Sequence, residues 1–93
     1  MGIGLSDVVH RNDEKFLASE LGDELVMMNL ENGNVIGMNS FGSDIWKLTE
    51  GPTSINEITS QLLTQYDVGE EECKNDVHEF ISMLVEKEIL VKQ

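Results

Sequence analysis

Few side chains in this sequence have the types and the spacing that catalysis requires. The single cysteine, Cys73, and the nearest histidine, His78, are five residues apart in a predicted helix and therefore point to different faces. The other histidine, His10, lies in a predicted strand, where a surface or capping role is more common than a catalytic one. We therefore expect Cys73 to be a small buried apolar side chain, and we predict that the chain is not an enzyme.

Motifs for metal and nucleotide binding are also missing from the sequence. Glu70, Glu71 and Glu72 are consecutive, so their carboxylates diverge on a helix, and the oxygen spacing of a calcium loop does not occur. The glycines form neither a dinucleotide-binding pattern nor a P-loop. We predict no metal and no cofactor, and we expect the three glutamates to begin a helix, whose dipole favours negative charge there.

The net charge and the length of the chain restrict which partners it can bind and how many domains it can form. Six Lys and Arg against eighteen Asp and Glu give a net charge of −12, which argues against nucleic acid and anionic membranes, because phosphates are bound by clustered cations. Ninety-three residues predict one domain, residues 1–93, with a modest core. The lone cysteine, the absence of a signal-peptide pattern and the lack of a long apolar run lead us to expect a cytoplasmic protein.

The first half of the chain predicts strands. Short apolar stretches occur at residues 8–11, 16–20, 25–30 and 35–38, separated by polar residues. The pair Asn32-Gly33 is typical of a two-residue type I′ turn and predicts a hairpin in which Leu30 faces Val35. Apolar side chains then lie on both faces of this hairpin. The second face is either covered by the N-terminal strands or open to a ligand.

The second half predicts three helices. Asn39 or Ser40 can cap the first helix, a capping box from Ser54 to Glu57 begins the second, and the third runs over residues 70–87. Strands followed by helices predict an α+β fold, with a small antiparallel three-stranded sheet and three helices in a winged-helix-like arrangement. The third helix holds six acidic residues and two lysines, so it would be repelled by a DNA groove.

A peptide groove is the binding surface that these elements favour. If the strand at residues 35–38 lies at the sheet edge, its unpaired N–H and C=O groups can accept an extended peptide as a further strand. The third helix would form the opposite wall, with Asp76, Phe80, Met83 and Lys87 along one stripe. The alternative is that Phe80 and Met83 belong to the core.

A series of short motifs follows the chain from about Val8 to Val91. They are Glu20-Leu21-Gly22-Asp23-Glu24, Asn32-Gly33, Met38-Asn39-Ser40-Phe41-Gly42-Ser43-Asp44-Ile45-Trp46, Glu50-Gly51, Ile55 with Ile58, Leu62 with Tyr66-Asp67-Val68, Asp76-Val77 with Phe80-Ile81 and Leu84, and Ile89-Leu90. In order and spacing these motifs resemble the PqqD-like family of peptide-binding domains, also called RiPP precursor peptide recognition elements. One departure is Ile89, which stands where the family often has glycine.

The resemblance implies a domain that binds the leader of a ribosomally made precursor peptide by strand addition and presents it to tailoring enzymes. These enzymes are a leader peptidase and a cyclase, as in lasso peptide clusters, or a radical SAM enzyme. Carried over by position, the peptide-binding residues are Asn34, Val35, Ile36, Gly37 and Met38 on the strand and Asp76, Phe80, Met83 and Lys87 on the helix.

Three questions stay open at the level of the sequence. The domain is expected to be a monomer or a dimer paired through its free edge. A small winged-helix regulator that binds a protein is an alternative function. An acidic carrier protein is a second alternative. A carrier needs four helices and an Asp-Ser pair at a helix start, whereas the first half of this chain predicts a β-hairpin, and Ser40 and Ser54 follow Asn39 and Thr53.

Overall fold

Helices and strands are both present in the computed structural model, which describes residues 3–22 and 24–93. In chain order the elements are β1 (Val8–Arg11), β2 (Phe16–Leu21), β3 (Glu24–Asn29), β4 (Val35–Met38), α1 (Ser40–Lys47), β5 (Thr53–Ser54), α2 (Ile55–Leu62), α3 (Glu70–Glu86) and β6 (Leu90–Lys92). This composition confirms the predicted α+β class, and the strands of the first half exclude the four-helix carrier protein. Within the described residues, no helix is long and apolar enough to cross a membrane.

The strands form two antiparallel sheets of three strands each, in the orders β5-β1-β6 and β2-β3-β4. The second sheet is the predicted one. β1 is not part of this second sheet. The chain turns after Arg11, and the Asn12 N–H donates a hydrogen bond to the Ile89 carbonyl at 3.0 Å, so the backbone pairing of β1 continues toward β6. The prediction of a single sheet was therefore incomplete, since it had no partner for the N-terminal strand. The winged-helix likeness stays a prediction.

The turn between β3 and β4 differs from the predicted one. Its loop spans four residues, 30–33, because the Asn29 N–H donates to the Asn34 carbonyl and the Gly33 N–H to the Asn29 carbonyl, both at 2.8 Å. The side chains of Asn29 and Asn32 also accept backbone hydrogen bonds inside the loop. Asn32 does not have the positive φ that a type I′ turn requires, whereas Gly33 has φ of +75°. The predicted two-residue turn was wrong.

The longer loop moves the strand register by two residues. Met27 pairs with Ile36 and Leu25 pairs with Met38, whereas the two-residue turn would have paired Met27 with Met38. Because side chains alternate between the two faces, an even shift leaves every side chain on its predicted face. The error in the turn therefore changed the pairs but not the amphipathic pattern of the sheet.

Polar side chains cap the first two helices. The Asn39 side chain accepts a hydrogen bond from the Gly42 N–H at 3.0 Å and begins α1, and the Ser54 hydroxyl accepts one from the Glu57 N–H at 3.3 Å and begins α2. The reciprocal half of the predicted capping box is not formed, because the Glu57 carboxylate accepts from the Thr53 hydroxyl instead. Ser54 also belongs to β5, whose backbone pairs with β1.

The core lies between the two sheets and the helices. α2 packs on α3, α1 packs on β3 and β4, and α3 packs on β6. The fully buried large side chains are Val9, Leu25, Met27, Ile45, Ile55, Ile58, Leu62, Val77, Ile81, Leu84, Ile89 and Leu90. They include Ile55, Ile58 and Leu62 of α2 and Val77, Ile81 and Leu84 of α3, which recur at helical spacing and form one buried face on each helix.

A left-handed residue ends α3 and turns the chain into the core. Glu88 has φ of 65°, and its N–H donates to the Val85 carbonyl at 3.0 Å while the Ile89 N–H reaches the Leu84 carbonyl at 2.9 Å. This is the hydrogen-bond pattern of a Schellman motif, with a buried apolar pair, Leu84 and Ile89, across it. The left-handed position thus falls on Glu88, and Ile89 is free to be an apolar core residue.

Tyr66, just after α2, ties this part of the chain to α1. Its hydroxyl donates a hydrogen bond to the Asp44 carboxylate, and its ring meets the Phe41 ring edge to face at 5.9 Å between centroids. The hydrogen bond to Asp44, with a smaller contribution from burial, raises the pKa of Tyr66 above its ordinary value of 10.0. The neutral phenol is therefore the form that the folded protein favours.

Replacing Tyr66 with phenylalanine tests this contact, because it keeps the ring and removes the hydroxyl. We expect Tyr66→Phe to lower the free energy of unfolding by about 1 kcal/mol at neutral pH. Because the folded-state pKa is raised, the contribution is complete below the unfolded pKa and is lost as pH rises through the folded value. Urea denaturation at neutral pH and at about pH 11 measures both effects. An equal loss at both pH values would contradict the assignment.

Candidate functional site between β4 and α3

β4 forms an edge of its sheet, as predicted, since no described strand pairs with its outer side. In an antiparallel pair, residues alternate between those whose N–H and C=O groups bond to the partner and those whose groups point away. The hydrogen bond from Asn29 to Asn34 fixes this alternation. It follows from the register that the backbone of Ile36 bonds to β3, whereas the backbones of Val35 and Gly37 face the open edge.

A cavity of about 880 Å³ lies between this edge and α3. One wall is formed by β4 and the start of α1, and the other is formed by α3. The residues that line it are Ile36, Gly37, Met38, Asn39, Phe41, Asp76, His78, Glu79, Phe80, Ser82, Met83 and Glu86. A groove with an open strand edge on one side and an apolar and acidic helix on the other is therefore present in the molecule.

Phe80 and Met83 belong to both the core and the groove. Each is partly buried and packs against the core cluster, and each also lines the cavity. The broad apolar face of α3 allows this, because Val77 and Ile81 are fully buried on one part of the face while Phe80 lies beside the cavity. The two alternatives left open by the sequence are therefore both partly right.

Gly42 in α1 fixes the position of the Phe80 ring. A Cβ atom at Gly42 would lie 3.0 Å from the ring of Phe80 and 3.2 Å from the Cβ of Met38. A side chain at this position would force one of these groups to move by a few tenths of an ångström, because contacts of this length are tighter than nine in ten of those that Cβ atoms make. The glycine lets α1, β4 and α3 meet at the floor of the groove.

A second cavity, of about 420 Å³, continues the groove at the other end of β4. It is lined by Phe16, Asn29, Asn34, Val35, Ile36 and Lys87. Ile36 lines both cavities and so joins them. We call the first the larger cavity and the second the smaller cavity.

All nine sequence-predicted site residues lie around these two cavities. The larger cavity has Ile36, Gly37, Met38, Asp76, Phe80 and Met83, and the smaller has Asn34, Val35, Ile36 and Lys87. The structure thus brings them together, while their role in binding a peptide stays a prediction. Sequence reasoning missed Glu79 and Glu86, although their helical spacing from Asp76 and Met83 was a usable signal. It also missed Phe16, which comes from a separate strand and left no such signal.

Cys73 does not take part in this site. Its side chain is buried in the core, and burial is the main cause that raises the pKa of the thiol above its ordinary value. A thiol that stays protonated is a poor nucleophile. Within residues 3–22 and 24–93, no group of three or more metal-ligating side chains comes together. In the described part of the chain, the groove therefore contains neither the thiol of Cys73 nor a cluster of metal ligands.

The face of the β2-β3-β4 sheet that points away from the groove is uncovered. This outer face is formed by Leu17, Leu21, Val26, Met28 and Val35, as the strand pairing shows. Leu17, Val35 and Leu21 are 52 %, 61 % and 66 % exposed. β1, the predicted alternative cover, lies in the other sheet. The sequence left two alternatives for this face, covered by the N-terminal strands or open. In the described part of the chain it is open.

Comparison with known proteins identifies the family. The family model for coenzyme PQQ synthesis protein D (PqqD) matches residues 24–90. The chain is also similar to the solved structure of TbiB1 in complex with the TbiA(beta) leader peptide, with a TM-score of 0.79 and 28 % identity over 87 % of this chain and 93 % of that one. No protein of curated function matches the chain. Because the family model covers most of the sequence, the chain belongs to the PqqD family, as predicted.

The contact between Gly42 and Phe80 can be tested by adding one methyl group. We expect Gly42→Ala to lower the free energy of unfolding by about 1–3 kcal/mol, because the new Cβ overpacks the floor of the groove. Gly51→Ala is the matched control, since a Cβ there has no atom within 4 Å. Urea denaturation of both variants measures the difference. Equal stability of the two variants would show that the groove floor can relax without cost.

Proposed function

We propose that this PqqD family member binds the leader segment of a ribosomally made precursor peptide as a strand added to β4. The observation that carries the proposal is the open edge of β4, whose outward backbone groups at Val35 and Gly37 lie beside a cavity walled by α3. The similarity to a domain solved with a leader peptide supports the same ligand class. In this proposal the domain captures and presents the peptide and performs no catalytic step.

The two walls of the groove would contribute in different ways. Backbone hydrogen bonds to Val35 and Gly37 would fix the register of the leader with little demand on its sequence. Apolar leader side chains would pack on Phe80 and Met83, which supply the specificity. Because ordering a disordered leader costs several kcal/mol, we expect a dissociation constant on the order of 10 nM to 10 μM.

We further propose that the outer face of the sheet receives the tailoring enzyme. In an added strand, alternate side chains of the leader would enter the groove, and the others would extend the outer face. That face combines exposed apolar residues with one carboxylate, Glu24, in a chain of net charge −12. An enzyme docked there would touch both the domain and the leader. We place this step in the cytoplasm, with a leader peptidase and cyclase of the lasso peptide type or a radical SAM enzyme as the partner.

The first test is a fluorescence-polarisation titration with the labelled leader of a precursor peptide encoded beside this chain. We expect Gly37→Pro to weaken binding at least tenfold, because proline removes an N–H that faces the open edge. Gly37→Ala keeps the N–H and has no atom within 4 Å of its new Cβ, so it is the matched control. Ile36→Pro is not suitable, because it would remove a bond to β3 and disrupt the hairpin itself.

The helix wall is tested in the same titration. Met83→Asp should also weaken binding, because it places a charge in an apolar part of the groove, whereas Met83→Leu should bind within a fewfold of the wild type. Binding that is indifferent to both Gly37→Pro and Met83→Asp would place the leader elsewhere. No binding by any neighbouring leader to the folded domain would reject the proposal and favour a regulator that binds a protein.

The outer face is tested by separating leader binding from leader processing. We expect Leu17→Asp to leave leader affinity unchanged within about twofold and to lower the rate of leader cleavage by the neighbouring peptidase about tenfold, because an apolar contact is lost. Val68→Asp is the control, since Val68 is similarly exposed but precedes α3, outside the sheet. A rate unchanged by Leu17→Asp would remove the outer face as the docking surface.

A further inference from the structure

We infer that the groove selects its leader by charge polarity, with a basic side chain taken by the larger cavity and an acidic side chain taken by the smaller. The inference rests on the proposed function and names the class of peptide that the site accepts. It follows from the lining of the two cavities, which carry charges of opposite sign. It goes beyond the strand addition itself, which depends on the backbone and is indifferent to charge.

The larger cavity carries three carboxylates, and its other titratable side chain, His78, has Nε2 2.9 Å from the Ile3 carbonyl oxygen. Asp76, Glu79 and Glu86 line it, and no lysine or arginine does. The ion pairs among the described residues use other carboxylates, those of Asp7, Glu31 and Glu88. These three cavity carboxylates are therefore not neutralised by a cation of the described chain and can receive one from a ligand.

A buried hydroxyl group in the same wall also lacks a partner. Ser82 lines the larger cavity, and its oxygen is buried and has no hydrogen-bond partner among the described residues. A buried polar atom without a partner costs free energy, and a ligand donor relieves that cost once rotation of the Ser82 side chain turns its oxygen toward the cavity. A leader ammonium or guanidinium group has several N–H donors, enough for the carboxylates and for the hydroxyl in that rotamer.

The smaller cavity has the opposite character. Lys87 lines it, no carboxylate does, and Lys87 forms no ion pair with any described residue. Asn29 and Asn34 line the same cavity. The Asn29 side-chain oxygen already accepts a hydrogen bond from the Glu31 N–H. The amide N–H groups of Asn29 therefore remain available as donors. An ammonium group with amide donors nearby suits a carboxylate.

The distance between the charges of Asp76 and Lys87 determines how many residues separate the two charged side chains of the leader. Asp76 and Lys87 are eleven residues apart on or next to α3, which corresponds to about 16 Å along a helix axis. In the proposed complex the leader strand lies along α3, and it covers this distance in about five residues, at roughly 3.4 Å each. Both leader side chains must enter the groove, so they must be an even number of residues apart. The spacing is therefore four or six residues.

A charge scan of the leader tests this inference. Starting from the labelled leader that binds in the titration above, each position in turn is replaced with Lys and with Glu. We expect one position at which Glu binds about 3- to 10-fold tighter than Lys, and a second, four or six residues away, with the opposite preference. Both preferences should weaken in about 0.5 M salt, because solvent-exposed charges are screened.

Charge reversal in the domain then assigns each preference to its cavity. Lys87→Glu should reverse the preference at the first position, and Asp76→Lys should reverse it at the second. Lys74→Glu and Glu72→Lys are the matched controls, since both residues are on α3 and neither lines the larger or the smaller cavity. The order of the two positions along the leader also reports whether its strand runs antiparallel or parallel to β4.

The outcomes separate this inference from the proposed function. Tight leader binding with no charge preference, or with preferences that the groove variants do not reverse, would overturn the polarity and leave leader recognition intact. Preferences spaced by an odd number of residues would also overturn it, since the two charges could not face the same groove. Absence of leader binding altogether would reject both, and that result is obtained before the scan begins.

Discussion

The register between β3 and β4 is the constraint on which the site depends. Pairing of Met27 with Ile36 directs the Ile36 side chain to the groove and its backbone to β3. The same register leaves the backbones of Val35 and Gly37 facing the open edge. A shift by one residue would exchange these roles, so that the apolar side chain would leave the groove and the free hydrogen-bonding groups would move to other residues. The four-residue loop, fixed by the hydrogen bonds of Asn29, holds this register.

A strand edge alone would be a general site of association, and the helix makes it selective. α3 packs on α2 and β6, and the space between α3 and β4 is the larger cavity. Phe80 meets α1 at Gly42, which sets how closely the helix approaches the strand. The wall opposite the edge is therefore closely packed at its floor and carries exposed carboxylates, those of Asp76, Glu79 and Glu86. Selectivity in such a groove comes from side-chain contacts, while the edge supplies the backbone hydrogen bonds.

The two sheets have different roles in the fold. The sheet of β5, β1 and β6 closes the core around Val9 and Leu90, both buried, and joins the two ends of the described chain. The sheet of β2, β3 and β4 keeps one edge and one face open. The inner face of this sheet belongs to the same core, because Leu25 and Met27 on β3 are fully buried in it. Within the described residues, the edge of β4 and the outer face of this sheet are the parts that stay accessible.

The sequence by itself determined the three helices, most of the strands and part of the lining of the groove. Period-two and helical patterns, the cap at Asn39 and the apolar face of α2 and α3 are local features, and local features need no knowledge of distant contacts. The order of motifs also placed the chain in its family. The nine residues predicted for the site lie around the two cavities because they share one strand and one helix stripe, and their role in peptide binding stays a prediction.

Only the tertiary structure decided the partner of β1, the loop of the hairpin and the shape of the groove. β1 pairs with β6, which follows it by almost the whole chain, and no local pattern specifies a contact at that separation. The loop depended on side-chain hydrogen bonds of Asn29 and Asn32 that compete with the two-residue turn. The smaller cavity brings Phe16 beside Lys87, from opposite ends of the chain. Such juxtapositions arise from packing in three dimensions, and the sequence alone did not predict them.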